Sequence, residues 1–159
     1  MTVETILEDP RWQEADLPDL AECAASAVLR RLGLEPDAGE IGVLGCDDVR
    51  ISALNAEFRG KPNPTNVLSW PSEDRTPGIP GKEPQPPEPG EFGDIAIAFE
   101  TCMREADEQG KPLSDHVTHL LVHGMLHLLG YDHETVQDAA LMERLEVEVL
   151  ATLGVPDPY

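Results

Sequence analysis

The sequence predicts a single layered domain of the α+β or α/β class, in which one small sheet of four strands is packed with about five helices. Its 159 residues suit one domain that can bury a core without cross-links. Short segments of strand length, the last of which alternates between apolar and other residues, are interleaved with longer segments in which apolar residues recur at helical spacing. Three helical patterns follow the last strand pattern, which favours a layered arrangement of helices on a sheet.

The first half of the chain predicts two successive pairs of a strand and a helix. Each helical pattern stops at a glycine, Gly33 in the first and Gly60 in the second, as expected where a helix ends in the left-handed region. An aspartate stands before the second helix, where its side chain can cap the free backbone amides. The predicted elements are strands at 3–8 and 41–46, a helix at 19–32, and a helix from Asp47 or Asp48 through Asn55 and Phe58.

The second half of the chain contains a proline-rich segment between two predicted strands. The segment 71–91 holds seven of the fifteen prolines, which fix φ and lack a backbone donor, so it predicts neither strand nor helix. We expect residues 73–90 to form an exposed, mobile loop inside one domain spanning 1–159, because neither flank alone holds enough core. The remaining predicted elements are strands at 67–70 and 94–99 and helices at 100–109, 113–129 and 134–152.

The charge of the chain restricts its partners. A net charge of -20 argues against a general nucleic-acid binder, because such a surface repels a polyanion at long range. Seven of the eleven basic residues nevertheless fall between positions 50 and 111, either scattered on an acidic surface or gathered by folding into a patch for one anionic partner. They are Arg50, Arg59, Lys61, Arg75, Lys82, Arg104 and Lys111.

The cysteines and the apolar segments indicate a cytoplasmic protein. Cys23, Cys46 and Cys102 are an odd number at wide spacing without a CxxC pair, so we expect small core residues in a reducing compartment. Neither a basic segment followed by an apolar run nor a stretch of roughly 20 apolar residues is found, so a membrane location is not expected.

Histidines in the stretch HGMLHLLGYDHE, residues 123–134, predict a metal site. His123 and His127 lie one turn apart on the predicted helix 113–129 and can both point a ring nitrogen at one ion. Gly130 lets the chain reverse after the helix, so that His133 can approach the same point. The spacing HxxxHxxGxxH is that of metzincin zinc proteases, and three imidazoles with an open water position are typical of a catalytic zinc.

Two alternatives for this site follow from its neighbours. A structural zinc needs a fourth ligand, for which His119 or Asp132 is the candidate; otherwise His116 and His119 are expected not to be ligands. A protease needs a glutamate directly after the first histidine to accept a proton from the zinc-bound water. Gly124 occupies that position, so peptide hydrolysis by that mechanism is not expected.

Four stretches of the chain together resemble the YbeY family of bacterial endoribonucleases, which act in ribosomal RNA maturation. The resemblance covers nearly the whole chain in order, although Trp70 stands where the family often has phenylalanine and the proline-rich loop is longer than expected. The stretches are LNAEFRGKPNPTNVLSWP at 54–71, GDIAIAFE at 93–100, VHGMLHLLGYDH at 122–133 and LEVEVLATLGVPDPY at 145–159.

The resemblance implies a single α+β domain, with a small mixed four-stranded sheet and about five helices around a metal cleft. The implied activity is that of a metal-dependent endoribonuclease. The implied activity is specific for single-stranded RNA and serves maturation of the 16S rRNA 3′ end and ribosome quality control, with ribosomal RNA and ribosomal proteins as partners. It implies one Zn²⁺ held by His123, His127 and His133, and a functional role for Arg59.

Read physically, Arg59 would clamp a phosphate. The carboxylates of Asp132 and Glu134 are candidates by position to orient a water, although a role in the turn itself is favoured for both. The alternative function is a ribosome-assembly factor that binds RNA or protein and whose metal is mainly structural.

Overall fold

The computed structural model describes residues 2–159, with four strands and six helices. The strands are β1 (Thr2–Leu7), β2 (Gly39–Cys46), β3 (Val67–Pro71) and β4 (Gly90–Ala98). The helices are α1 (Arg11–Glu14), α2 (Leu17–Leu32), α3 (Asp48–Arg59), α4 (Phe99–Gln109), α5 (Leu113–Leu128) and α6 (Val136–Thr152).

The four strands form one mixed sheet in the order β1-β2-β4-β3. The pairs β1 with β2 and β2 with β4 are parallel, and β3 runs antiparallel to β4 at one edge. Pro71 closes β3 at this edge, where its missing backbone donor costs no ladder hydrogen bond inside the sheet. The predicted α+β domain with a small mixed sheet of four strands is therefore confirmed.

Helices cover both faces of the sheet. On β4, Ile95 and Ile97 belong to the main core, which α2, α5 and α6 complete. The intervening Ala96 and Ala98 belong to a smaller core on the opposite face, which α3 covers with Ile51 and Leu54. Helix α5 packs against α2, α4, α6, β3 and β4, so the histidine-bearing helix is surrounded on most of its circumference.

The helix ends follow the predicted chemistry. Asp47 caps α3 by accepting a hydrogen bond from the backbone amide of Arg50 at 2.8 Å. Gly33 and Gly60, with φ of 70° and 69°, end α2 and α3 in the left-handed region.

Five of the six helices were predicted; α1 was not, because four residues carry no measurable periodicity. Its Trp12 is fully buried and donates a hydrogen bond to the carbonyl of Cys46 at 2.9 Å.

Three further predictions need correction. Strand β4 begins at Gly90 rather than at residue 94, because Gly90 and Glu91 lie beyond the last proline and pair with β2. Phe99 is not a strand residue but the first residue of α4. Cys23 is exposed on α2, whereas Cys46 and Cys102 are buried as expected, and burial raises the pKa of the Cys46 thiol to about 12.

The proline-rich segment between β3 and β4 has an irregular backbone, and most of its residues are exposed. Arg75 is largely buried, since only 9% of its side chain is exposed. Its Nη1 donates to the carbonyls of Leu128 at 3.0 Å and Phe92 at 3.2 Å. Farther along, the amide of Gly81 donates to Asp138 Oδ1 at 2.9 Å. The segment is thus attached to the end of α5 and the start of α6.

Within the described part of the chain, no helix combines the length and the apolar character that a bilayer span requires.

Candidate functional site

Arg59 and the three predicted metal ligands line one cleft of about 580 Å³. The end of α3, strand β3, helix α5 and the turn after α5 form its walls. The lining residues are Arg59, Asn66, Val67, Leu68, Ser69, His123, His127, Asp132, His133 and Glu134. The fold therefore brings together side chains that are separated by up to 75 positions in the sequence, from Arg59 to Glu134.

His123 is oriented by a buried carboxylate. Its Nδ1 lies 2.8 Å from Oε1 of Glu146, which is fully buried on α6. Burial opposes the ionisation of Glu146, but hydrogen bonds from His119, His123 and Tyr159 outweigh burial and hold its pKa at about 2. Within residues 2–159, Nε2 of His123 has no hydrogen-bond partner, so this nitrogen is available on the side of the cleft.

His127 is oriented by the edge strand of the sheet. Its Nδ1 lies 2.6 Å from the hydroxyl of Ser69 on β3, which again leaves Nε2 as the ring nitrogen available to a ligand. Burial lowers the pKa of His127 below its usual 6.5, which favours the neutral imidazole that a metal requires.

His133 lies on the turn that follows α5. Gly130 makes this turn with φ of +104°, and a Cβ at this position would lie 2.5 Å from the carbonyl oxygen of Arg75. The His133 ring centroid is 5.2 Å from that of His123, but 61% of the His133 side chain is exposed. Its Nδ1 is 3.8 Å from Asp132 Oδ1, too long for a hydrogen bond.

The three histidines share the cleft without forming a closed ligand set. Among residues 2–159, no three His, Cys, Asp or Glu side chains are arranged so that they could hold one ion. The donor chemistry nevertheless fits zinc, since His123 and His127 each use Nδ1 for a protein contact and keep Nε2 for a ligand. The metal and its ligand set therefore stay predictions.

Close packing of α5 on the sheet explains why residue 124 is a glycine. A Cβ built on it would lie 3.1 Å from Cδ1 of Ile95 on β4, so this position faces the sheet and not the cleft. A glutamate there would enter the core, where a carboxylate without a partner is costly. The absence of the protease glutamate is thus a consequence of how closely α5 packs on β4.

Arg59 is the basic residue of the cleft. It is the last residue of α3, it is exposed, and within residues 2–159 no carboxylate forms an ion pair with it. The other basic residues between positions 50 and 111 do not line the cleft. Arg50 pairs with Glu8 at 3.2 Å, and Arg75 holds the proline-rich segment. Arg59 is therefore the single basic residue that lines this cleft.

Asp132 and Glu134 both line the cleft beside His133. Asp132 Oδ1 accepts a hydrogen bond from the backbone amide of His133 at 2.7 Å, so this carboxylate closes the turn. His116 and His119 do not line the cleft. His116 Nε2 is 2.8 Å from Glu105 Oε1, and His119 Nε2 is 3.4 Å from Glu146 Oε1. A role for His119 as a fourth ligand therefore has no support in this arrangement.

Ser69 and Glu146 were not anticipated from the sequence. Ser69 carries no signal, because only the pairing of distant segments sets it beside His127. Glu146 does carry a sequence signal, because it stands four residues from both Met142 and Leu150. All three residues are fully buried on α6. A charged residue inside an apolar helical stripe indicates a buried partner.

Comparison with known proteins agrees with this architecture. The family model described as Endoribonuclease YbeY matches residues 3–154. A protein of Ruegeria pomeroyi named endoribonuclease YbeY is 60% identical, with 100% of this chain and 98% of the relative covered. One of Jannaschia sp. with the same name is 57% identical, with 100% of both chains covered.

A solved structure has the same fold. The solution structure of a protein from Thermotoga maritima superposes with a TM-score of 0.60 at 22% identity, and the match covers 96% of this chain and 92% of the other. At this identity the likeness concerns the fold alone. The extent of the family match and the identity to its named members leave one assignment: the chain belongs to the endoribonuclease YbeY family.

Proposed function

We propose that this chain is an endoribonuclease that cleaves single-stranded RNA, and that it acts in ribosomal RNA processing in the cytoplasm. The steps it serves are maturation of the 16S rRNA 3′ end and ribosome quality control. Membership of the family supports the reaction class. The observation that carries the proposal is the cleft in which an unpaired arginine, Arg59, shares the walls with His123, His127 and His133.

The family is metal-dependent in general, and the ion proposed for this cleft is one Zn²⁺ held by His123, His127 and His133. A bound zinc ion supplies a Lewis acid and lowers the pKa of a coordinated water from about 15.7 to near 7. The chain contributes two imidazoles whose Nδ1 atoms are already engaged by Glu146 and Ser69. His133 lies on the exposed turn after α5, with its ring centroid 5.2 Å from that of His123.

Arg59 is proposed to bind the phosphate at the cleavage site. Its guanidinium donates in a fork that matches two phosphate oxygens, and it offsets the charge that develops during phosphoryl transfer. The guanidinium stays protonated at neutral pH, so Arg59 cannot serve as the general base. Because a net charge of -20 repels free RNA, we propose that the substrate reaches the cleft within the ribosome, beside basic ribosomal proteins.

The test is the Arg59→Ala variant compared with Lys61→Ala, which removes a neighbouring positive charge outside the cleft. Cleavage of a defined ribosomal RNA fragment under single-turnover conditions should fall by about 100-fold to 1,000-fold for Arg59→Ala, the range for a lost donor to a transition-state charge. Zinc content, measured by elemental analysis, should stay that of the unmodified protein. If Arg59→Ala cleaves as fast as Lys61→Ala, the proposed role of Arg59 is wrong.

The alternative function is a ribosome-assembly factor that binds RNA or protein and uses the metal mainly for folding. The net charge favours it, since an acidic surface is better suited to basic proteins than to naked RNA. Removing the metal distinguishes the two functions. A nuclease loses cleavage while its secondary structure stays unchanged, whereas a protein with a structural metal unfolds when the metal is removed.

A further inference from the structure

A cluster around Glu146 lies behind the cleft, between α5 and α6. The Oε1 atom of Glu146 is 2.8 Å from His123 Nδ1 and 3.4 Å from His119 Nε2. Its Oε2 atom accepts a hydrogen bond from the hydroxyl of Tyr159 at 2.7 Å. The Tyr159 ring also packs edge-on against His119, with 5.6 Å between ring centroids. Glu146 is the centre of this cluster, because both of its oxygens are engaged.

Fold stability alone does not account for Glu146. Its neighbours in the stripe, Met142 and Leu150, are apolar and fully buried. A well-packed apolar side chain at such a position is often as stabilising as a buried charge with its partners, or more so. The carboxylate therefore calls for a reason beyond packing, and its contact with a histidine of the cleft supplies one.

We propose that Glu146 is a positioning residue that fixes His123 as the Nδ1-protonated tautomer, and that Tyr159 holds Glu146 in place. A carboxylate only accepts hydrogen bonds, so a neutral His123 must donate from Nδ1 and keep its lone pair on Nε2. Nε2 is the nitrogen left for the cleft. The consequence for metal binding rests on the function proposed above, whereas the tautomer itself does not.

His127 supplies an internal comparison. Its Nδ1 contacts the hydroxyl of Ser69, and a hydroxyl both donates and accepts. Ser69 therefore tolerates either tautomer of His127, whereas Glu146 tolerates only one tautomer of His123. The contacts in the structure therefore restrict the tautomer of His123 but not that of His127.

The first test needs neither metal nor RNA. Long-range ¹H–¹⁵N NMR spectra of metal-free protein with ¹⁵N-labelled histidine, recorded at a pH well above 6.5, report which ring nitrogen carries the proton. We expect Nδ1 of His123 to be protonated in the unmodified protein. A His123 that is protonated on Nε2 overturns the proposal, whatever the RNA cleavage activity proves to be.

The second test compares Glu146→Gln with Glu148→Gln. Glu148 lies on the same helix, half-exposed and paired with Arg31, so its variant has the same change of charge away from the cleft. Glu146→Gln should mix the His123 tautomers, because an amide both donates and accepts, and should weaken zinc binding by about 10-fold to 100-fold in chelator competition. His123 tautomers that stay unmixed in Glu146→Gln overturn the proposal, and equal zinc affinities for the two variants overturn its consequence for metal binding.

Tyr159→Phe provides a milder variant that keeps the ring against His119. It should weaken zinc binding several-fold and shift the His123 tautomers partly in the same direction as Glu146→Gln. A Tyr159→Phe protein indistinguishable from the unmodified one in both measurements refutes the role of Tyr159. If Glu146→Gln does not fold, the His123 tautomer in the unmodified protein, compared with that in Tyr159→Phe, decides the proposal.

Discussion

The two histidines on α5 and the one on the following turn are held in different ways. His123 and His127 lie on a helix that is packed on most sides, and each has its Nδ1 engaged by a neighbouring element. His133 is 61% exposed, and its ring forms no hydrogen bond within residues 2–159. Two of the three predicted ligands are thus preorganised, whereas the third belongs to a surface turn.

This difference determines where the cost of metal binding falls. Ligands that are already oriented lose little side-chain entropy when an ion arrives, whereas a ligand on a turn must be ordered at that moment. The free energy gained from the bond to His133 is therefore partly offset by ordering residues 131–134. We infer that the three histidines contribute unequally to zinc affinity.

The largest effects are expected from removing the ligands one at a time. His123→Ala and His127→Ala should each weaken zinc binding by more than roughly 100-fold. That value is the upper end of the loss expected when a residue that only hydrogen-bonds to a metal ligand is removed. His133→Ala should cost on the order of 10-fold less than either, because part of its contribution is offset by ordering the turn. Chelator competition measures the affinities, and circular dichroism checks that each variant remains folded. Equal losses for all three histidines would show a fully preformed site.

Removing Arg75 should release the turn that carries His133. Its guanidinium donates to the carbonyls of Leu128 and Phe92, and its backbone carbonyl lies against Gly130. Arg75→Met should lower the free energy of unfolding by about 1–3 kcal/mol, because two carbonyls lose a charged donor. Lys82→Met, on an exposed side chain of the same segment, is the matched control.

Urea denaturation of both variants gives the free energies of unfolding, and chelator competition gives the zinc affinities. Arg75→Met should also weaken zinc binding several-fold, whereas Lys82→Met should change neither quantity. If the zinc affinity stays constant while the free energy of unfolding falls, the proline-rich segment does not influence the metal site.

The same contrast explains how much could be predicted from the sequence. His123 and His127 can be assigned together because a helix repeats every 3.6 residues, and the four strands follow from short local segments, one of which alternates. The contacts that orient these histidines were not assigned, because they join residues 23 positions apart for Glu146 and 58 positions apart for Ser69. The anchoring of the proline-rich segment by Arg75 depends on tertiary packing in the same way. Local periodicity therefore predicted the histidines, and long-range packing decided what holds them.

The smallest expected effect is a pH dependence that belongs to the buried helix histidine. Burial, together with the charges of His123 and His133, lowers the pKa of His127, and Asp132 and Glu134 only partly oppose this. In the unfolded chain the pKa of His127 is about 6.5, so between that pH and the lowered value the unfolded state binds more protons. The free energy of unfolding of the metal-free protein should therefore fall as the pH drops below about 6.5 and level off below the lowered pKa. The loss is about 1.4 kcal/mol for each unit of pKa difference.

An NMR titration of the His127 ring in metal-free protein measures this pKa directly. His127→Gln should remove its share of the pH dependence in urea denaturation while retaining a polar side chain beside Ser69. A His127 pKa at or above 6.5 would contradict the burial argument. It would also mean that protons compete for this ligand at neutral pH as strongly as they do for an exposed imidazole, and the distinction between the helix histidines and His133 would then rest on hydrogen bonding alone.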